Sequence, residues 1–207
     1  MPLVLFGHPF SSYTQKVLIA LYENETPFEF RGLGPDAPDN VQEWRSRWPL
    51  LKFPLLLDGD RQVLETSIII QYLHINHAGP VQLLPGNAAE ALDVRFYDRF
   101  FDLHVMDAAQ HAVNGALSRD EVKQKDGLAL SKVKLERAYG WLEQDMKGKS
   151  WAAGDSFTMA DCAAAPSLFY ADWVHEIPEE LKTLRAYRKR LLARPSFARA
   201  VEEARPF

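Results

Sequence analysis

The sequence contains a single cysteine, Cys162, among its 207 residues. One cysteine cannot form an internal disulfide or a multi-cysteine metal site, so disulfide-stabilised secreted scaffolds and zinc-finger-like modules are excluded. No apolar run approaches the roughly 18 residues of a membrane-spanning helix, and no cationic segment precedes the short apolar run near the N-terminus. We therefore expect a protein without membrane contact, located in the cytoplasm.

An excess of positive charge is also absent: the chain has 24 Lys and Arg residues and 28 Asp and Glu residues, so the formal net charge is -4. A nucleic-acid partner is therefore not expected. Hydrophobic residues make up 47% of the chain and charged residues 25%, which is typical of a folded globular protein and not of a disordered one. The length allows one large domain or two small ones.

The N-terminal stretch predicts a strand, a turn and a helix. Residues 3–6 form a short apolar run, Gly7 and Pro9 interrupt it, and the apolar residues that follow recur at helical spacing. Ser11 and Ser12 stand where this helix begins. Hydroxyls and unpaired N–H groups at a helix start can stabilise an anion, but a serine there can equally be a simple N-cap.

The order of elements predicts two domains. Up to residue 77 the chain reads as strand, helix, strand, irregular helix, strand, strand and helix, with residues 52–64 forming a hairpin around an Asp-Gly-Asp turn. A four-stranded mixed sheet covered by helices is the compact solution for that order. The predicted domains are residues 1–78 and, after a linker at 79–88, an all-helical domain at 89–207.

The second half of the chain carries helical patterns only. The apolar residues Leu92, Phe96, Phe100 and Leu103 repeat at helical spacing and predict an amphipathic helix, and a second long helix is expected at residues 119–147.

Residues 157–162 predict a helix start with Thr158 as N-cap and Asp161 as the reciprocal residue of a capping box. Phe157 and Cys162 fall at the positions that form a hydrophobic staple. Asp161 and Cys162 are therefore assigned structural roles, and the nearly uncharged helix after them is expected to be buried.

Several strings, in this order, resemble the cytosolic glutathione transferases, most specifically the opening of the plant phi class and more loosely the serine-type bacterial, theta and zeta enzymes. The matching segments are residues 6–9 with Ser11, residues 17–21, residues 52–56, residues 65–66, residues 157–161 and residues 194–197. The resemblance implies a thioredoxin-like N-terminal domain followed by an all-helical one, with glutathione as the co-substrate.

The resemblance assigns the catalytic role to Ser11, because the family's serine lies six residues before the Val of the pair matched here by Lys16 and Val17. A cysteine thiol with a pKa near 8.5 is only about 3% thiolate at pH 7, so a hydroxyl donor that stabilises the thiolate is needed. Ser12 is the alternative donor and otherwise the expected simple cap.

The resemblance also implies five glutathione-binding residues. Phe53, before a cis Pro54, would pair through its main chain with the peptide part of glutathione, and Lys52 would pair with the glycyl carboxylate. Glu65 would take the γ-glutamyl ammonium, and Thr66 the neighbouring carboxylate. Without the resemblance, Pro54 would be interpreted as a proline at the start of a strand and Lys52 as an exposed loop lysine. Glu65 and Thr66 would be interpreted as a helix cap.

Three departures from the family's pattern stand out, and the mildest is Thr66, which replaces the usual serine and keeps its hydroxyl. Leu51 occupies the position of a loop glycine, and Asp39-Asn40 occupies the position of the phi-class His-Lys pair that contacts the glycyl end. The absence of cysteine at position 11 argues against an omega-like thiol transferase. Tyr13 replaces the cysteine of the zeta Ser-Ser-Cys string, which weakens an isomerase interpretation.

The predicted function is conjugation of glutathione to electrophilic apolar substrates by a homodimer. The resemblance places the substrate between the domains, with Phe10, Tyr97 or Phe101 as candidate lining residues. Two alternatives stay open: a non-catalytic interaction or regulatory protein of the same fold, and a glutathione-dependent peroxidase or dehalogenase that uses the same thiolate.

Overall fold

The computed structural model describes residues 2–204. The elements are β1 Leu3–Gly7, α1 Ser12–Glu23, β2 Phe28–Gly32, α2 Pro38–Arg47, β3 Leu55–Asp58, β4 Arg61–Leu64, α3 Thr66–Asn76, α4 Ala88–Phe100, a π-helical segment Phe101–Met106, α5 Asp107–Ala116, α6 Glu121–Asp145, α7 Met159–Val174, α8 Lys182–Leu192 and α9 Pro195–Glu203. Contacts divide them into two units: the chain up to Leu84 together with α9, and Pro85–Arg194.

The first unit is built on a four-stranded sheet with the order β2-β1-β3-β4. β1 runs parallel to β2 and antiparallel to β3, and β3 and β4 form the hairpin. The predicted mixed sheet and thioredoxin-like architecture are confirmed. The apolar runs that predicted β1 and β3 form part of the hydrophobic core of this unit, where Leu5, Phe6, Leu55 and Leu56 are fully buried.

The last helix, α9, belongs to the first unit, although the sequence placed residues 89–207 in one helical domain. α9 packs on α1, where Tyr22 donates a hydrogen bond to Glu203 and Ser196 donates one to Glu23. These side-chain contacts join segments far apart in the chain, so local sequence patterns do not predict them. Residues 205–207 of the predicted domain lie outside the described residues.

The second unit is all-helical, as predicted. α4, the π-helical segment and α5 follow one another without a break, and α7 is the buried central helix that its lack of charge indicated. Cys162 is fully buried within α7. Between residues 2 and 204, no helix combines the length and the apolar character needed to cross a membrane.

The apolar stripe of α4 faces outward in this single chain. Leu92, Phe96 and Leu103 are 66%, 49% and 51% exposed, whereas Val94 and Asp98 on another face are buried. α4 contacts α7, and the alanine side chains of α7 are buried. The second unit therefore presents an apolar stripe that its own helices do not cover.

Asp161 forms the predicted capping box at the start of α7. Its carboxylate accepts a hydrogen bond from the Thr158 N–H at 2.9 Å. It also accepts bonds from the Ala152 N–H at 2.9 Å and from the Tyr187 hydroxyl at 2.7 Å, which the sequence did not indicate. One buried carboxylate thus joins the start of α7, the preceding loop and α8.

A second carboxylate caps α8 from a distant part of the chain. Glu143, on α6, accepts hydrogen bonds from the N–H groups of Thr183 and Leu184 at 3.2 and 2.9 Å. Burial of the carboxylate opposes ionisation, but these bonds outweigh burial, and the pKa of Glu143 is lowered. α8 has no side-chain cap of its own, so this contact supplies one.

We expect Asp161→Ala to lower the free energy of unfolding by about 3 kcal/mol, because it leaves several buried donors without an acceptor. Urea denaturation of the variant measures the loss. Asp155→Ala is the matched control, since Asp155 is exposed and should change stability by less than about 0.5 kcal/mol. Equal stability of the two variants would contradict the anchoring role of Asp161.

Candidate functional site

The register of the sheet brings the predicted site segments to one edge. Phe6 lies opposite Leu55, and Leu55 lies opposite Leu64. The segments that follow β1 and β4 and the segment that precedes β3 therefore share this edge. Gly7 also pairs with Gly32, so the loop after β2 joins them. Neighbouring strands are about 4.8 Å apart, so the edge from β1 to β4 spans about 10 Å.

Ser11, and not Ser12, is the N-cap of α1. Its Oγ accepts a hydrogen bond from the Thr14 N–H at 3.3 Å, and its backbone has the extended conformation of a cap. Ser12 is the first residue of the helix and is buried. The expectation that Ser12 would be the simple cap is wrong, because the preceding turn ends one residue earlier than expected.

The capping bond leaves the Ser11 hydroxyl proton available. A hydroxyl can accept two hydrogen bonds and donate one, and Ser11 uses an acceptor position for Thr14. Within residues 2–204 no acceptor engages its proton. No acidic residue lies in the first turn of α1 to offset the positive end of the helix dipole. A half-buried donor thus sits beside a positive helix end.

The turn before α1 is held by His8, which the sequence did not single out. The His8 carbonyl accepts a hydrogen bond from the Ser11 N–H at 2.9 Å, and its Nδ1 accepts one from the Phe10 N–H at 3.2 Å. Gln15 reaches back to the Pro9 carbonyl at 3.1 Å. These bonds fix the backbone that carries the Ser11 side chain.

Lys16 joins the start of α1 to the start of α3. Its side chain is almost fully buried, with 1% exposure, and its Nζ donates to the Ser67 Oγ at 3.1 Å. Burying a lysine is costly unless it is hydrogen-bonded or paired. This contact joins the N-termini of the two helices that follow β1 and β4, the strands that flank β3 in the sheet.

The loop before β3 presents an unpaired main chain. The Phe53–Pro54 peptide bond is cis, Pro54 is buried, and the Lys52 carbonyl accepts a hydrogen bond from Trp44 Nε1 at 2.9 Å. Among the described residues, the N–H and C=O of Phe53 have no hydrogen-bond partner. They are therefore free to pair with an extended peptide, as an added strand would. The Lys52 side chain is exposed.

The start of α3 offers a carboxylate and an open helix end. Glu65 is the N-cap residue, makes no capping bond and has a strained backbone with φ 68° and ψ 123°. In the described part of the chain its carboxylate has no partner, and neither has the N–H of Thr66. The pair complements a group that bears an ammonium and a carboxylate, which is the α-amino acid end of a peptide.

Leu51, at the position of the expected glycine, adopts a left-handed backbone with φ 53°. A leucine side chain disfavours this conformation, which glycine adopts freely. Leu51 therefore holds a backbone conformation that glycine would adopt without strain.

The two aromatic residues proposed from α4 and the π-helical segment lie inside the helical unit. Phe101 is fully buried and Tyr97 is 7% exposed. The Tyr97 hydroxyl donates to Asp145 at 2.7 Å and accepts from Lys149 at 2.6 Å. Both side chains thus take part in packing of that unit. Phe10 is 39% exposed.

Comparison with known proteins identifies relatives across the chain. The family of glutathione S-transferase N-terminal domains matches residues 5–81, and the family of glutathione S-transferase C-terminal domains matches residues 116–190. The glutathione S-transferase-like protein LUC7 of Fusarium sp. is 30% identical over 161 residues, which are 75% of this chain and 71% of that protein. A glutathione S-transferase of Silene vulgaris is 26% identical over 215 residues, covering 97% of each chain.

A similar solved structure is a glutathione S-transferase of Methylobacterium radiotolerans in complex with glutathione sulfonate. It is 30% identical, superposes with a TM-score of 0.82, and the match covers 97% of this chain and 95% of that one.

We expect Leu51→Gly to raise the free energy of unfolding by about 0.5–1 kcal/mol, because relief of the left-handed strain exceeds the added freedom of the unfolded chain. Chemical denaturation measures the change. Leu50→Gly is the control: Leu50 is also exposed but has no positive φ, so the same replacement should destabilise by about 0.5–1 kcal/mol. Destabilisation by both substitutions would refute strain at Leu51.

Proposed function

The chain belongs to the glutathione S-transferase family, and we propose that it activates the glutathione thiol with the Ser11 hydroxyl and transfers the sulfur to an electrophilic apolar substrate. The observation that carries this proposal is the set of unpaired groups on one sheet edge. They are a hydroxyl at a helix start, an unpaired main chain and a carboxylate beside an open helix end. An extended tripeptide is about 10 Å long, which matches this edge.

In the proposed complex, the γ-glutamyl end lies at the start of α3. Its ammonium faces the Glu65 carboxylate, and its carboxylate accepts a hydrogen bond from the Thr66 N–H. The absence of an acidic residue in the first turn of α3 favours an anion there. Two opposite charges of the ligand thus meet two complementary groups of adjacent residues.

The cysteinyl residue lies between β3 and β1. Its main chain pairs with the N–H and C=O of Phe53, beside Pro54, and its sulfur lies near Ser11. Lys52 supplies a positive charge for the glycyl carboxylate. The free main chain of Phe53 supports this placement, because a peptide that pairs there runs along the edge toward the helix that Ser11 caps.

Thiol activation requires preferential stabilisation of the anion. Lowering the thiol pKa by about two units from its reference value near 8.5 takes roughly 2.7 kcal/mol. A hydrogen bond from Ser11 to the sulfur, together with the positive end of α1, can supply effects of this size. The thiol proton leaves to solvent, and the thiolate electron pair forms a C–S bond with the electrophilic carbon.

The same thiolate would serve a peroxidase or a dehalogenase, and the geometry favours neither over conjugation. A panel of electrophiles and peroxides, assayed with glutathione, distinguishes these reactions. Calorimetric titration with glutathione tests the enzyme against a non-catalytic interaction protein, because absence of binding at millimolar glutathione would reject the enzyme proposal. We place the enzyme in the cytoplasm, where glutathione is abundant and a lone cysteine stays reduced.

We also propose a homodimer whose contact includes the exposed stripe of α4. Large exposed apolar patches mark interaction surfaces. The half-exposed Trp141 extends the stripe, since its ring lies 5.9 Å from Phe96 and 4.4 Å from Phe100. A second copy of the chain would cover these aromatic rings.

We expect Ser11→Ala to lower kcat/KM for conjugation by about 100-fold and to raise the pKa of the bound thiol by one to two units, with little change in glutathione affinity. The pH profile of the reaction reports that pKa. Ser11→Thr keeps the hydroxyl and should retain most activity. Ser12→Ala is the second control, and loss of activity in that variant alone would move the catalytic role to Ser12.

We expect Phe96→Glu to shift the protein from dimer toward monomer, because it places a charge in an apolar contact. Analytical ultracentrifugation over a range of protein concentrations should show at least about a tenfold rise in the dissociation constant. Asp93→Asn, an exposed change on the same helix, should leave it unchanged. A wild-type protein that is monomeric at all concentrations would overturn the dimer proposal.

A further inference from the structure

A groove of about 570 Å³ lies beside Phe53 in the first unit. That volume is within the range of about 300–1,000 Å³ found for small-molecule sites. Its walls are mostly apolar, and no acidic residue of the described chain lines it. Its lining includes Leu33, Pro35, Val41, Trp44, Arg45 and Phe53.

Arg45 is the cation that this groove offers. The neighbouring Arg31 and Arg47 are each held by Glu43, with N–O distances of 2.7 Å. Within the part of the chain that the structure describes, Arg45 has no ion pair or hydrogen bond. A free guanidinium at the border of an apolar groove is suited to a carboxylate attached to an apolar body.

The groove lies at the end of the candidate site that is farthest from Glu65, where the third residue of glutathione would lie. The site begins after β4 at Glu65, passes Phe53 before β3, and continues to the loop after β2, where the Leu33 N–H donates to the Gly7 carbonyl at 2.9 Å. A tripeptide thiol bound with its γ-glutamyl end at Glu65 therefore directs its third residue toward the groove. This step rests on the proposed function.

The residues at the positions of the phi-class pair cannot bind that third residue in the same way. The Asn40 side chain is occupied, because its Nδ2 donates to the Gly32 carbonyl at 3.1 Å. Asp39 brings a negative charge to the first turn of α2, which disfavours a second carboxylate. Another group on α2 is needed, and Arg45 lies about one and a half turns further along the helix.

We propose that this groove binds the C-terminal residue of the tripeptide thiol, that Arg45 is a second cation beside Lys52 for its carboxylate, and that the apolar walls accept a side chain larger than that of glycine. Glycine leaves these walls in contact with water, whereas an aliphatic side chain would cover them. The co-substrates of this protein thus include γ-glutamylcysteinyl peptides with an apolar third residue.

The test compares glutathione with γ-glutamylcysteinylleucine as thiol substrates. The leucine peptide should have a KM about three- to tenfold lower than glutathione with wild-type protein. Arg45→Ala should raise KM for both peptides about tenfold at unchanged kcat, since it removes uniform binding. Arg47→Ala is the matched control on the same helix and should leave both KM values unchanged.

Val41→Trp is the second variant and fills the groove from its wall. It should abolish the preference for the leucine peptide while glutathione is still turned over, and its thermal unfolding curve verifies that it folds.

A wild-type KM for the leucine peptide equal to or above that for glutathione overturns the groove assignment. An unchanged KM in Arg45→Ala, together with a raised KM in Lys52→Ala, assigns the carboxylate to Lys52 alone. If neither peptide binds, the proposed function itself fails. If glutathione is turned over but neither the lower KM of the leucine peptide nor the raised KM of Arg45→Ala is seen, the groove assignment is rejected and the proposed function stands.

Discussion

Backbone pairing of β1 with β3, and of β3 with β4, is the constraint on which the site depends. Because Phe6, Leu55 and Leu64 lie in one row across the sheet, the loops that carry Ser11, Phe53 and the start of α3 meet at one edge. Leu55, Leu56 and Leu57 are all buried, so β3 is covered on both faces, as is typical of a central strand. The position of the site therefore follows from the burial of strands that take no part in chemistry.

The site consists of polar groups that folding leaves without partners. Phe53 and Glu65 are exposed, so solvent can hydrate the main chain of Phe53 and the Glu65 carboxylate in the free protein, and leaving them unpaired costs little compared with burial. The strained backbone of Glu65 adds a cost that the surrounding structure offsets. Part of that support comes from the partly buried hydrogen bond of Lys16 to Ser67, which joins both helix starts.

The helical unit uses its carboxylates differently. Asp161 and Glu143 are buried acceptors that satisfy the N–H groups of helix starts, so they stabilise the fold. The apolar side chains of α4, in contrast, stay exposed in the single chain. In this unit, therefore, carboxylates such as Asp161 are buried, whereas aromatic rings such as Phe96 are exposed.

The order of elements, the mixed sheet, the hairpin and the capping box at Thr158–Asp161 could be predicted from the sequence, because each depends on periodicity or on contacts within a few residues. The tertiary structure alone decided that Ser11 is the N-cap, that Lys16 reaches Ser67, that α9 joins the first unit, and that the stripe of α4 faces outward. Those outcomes depend on which distant segments meet and on where each turn ends. Local patterns do not encode these contacts, because many pairings of the same elements would bury equal apolar surface.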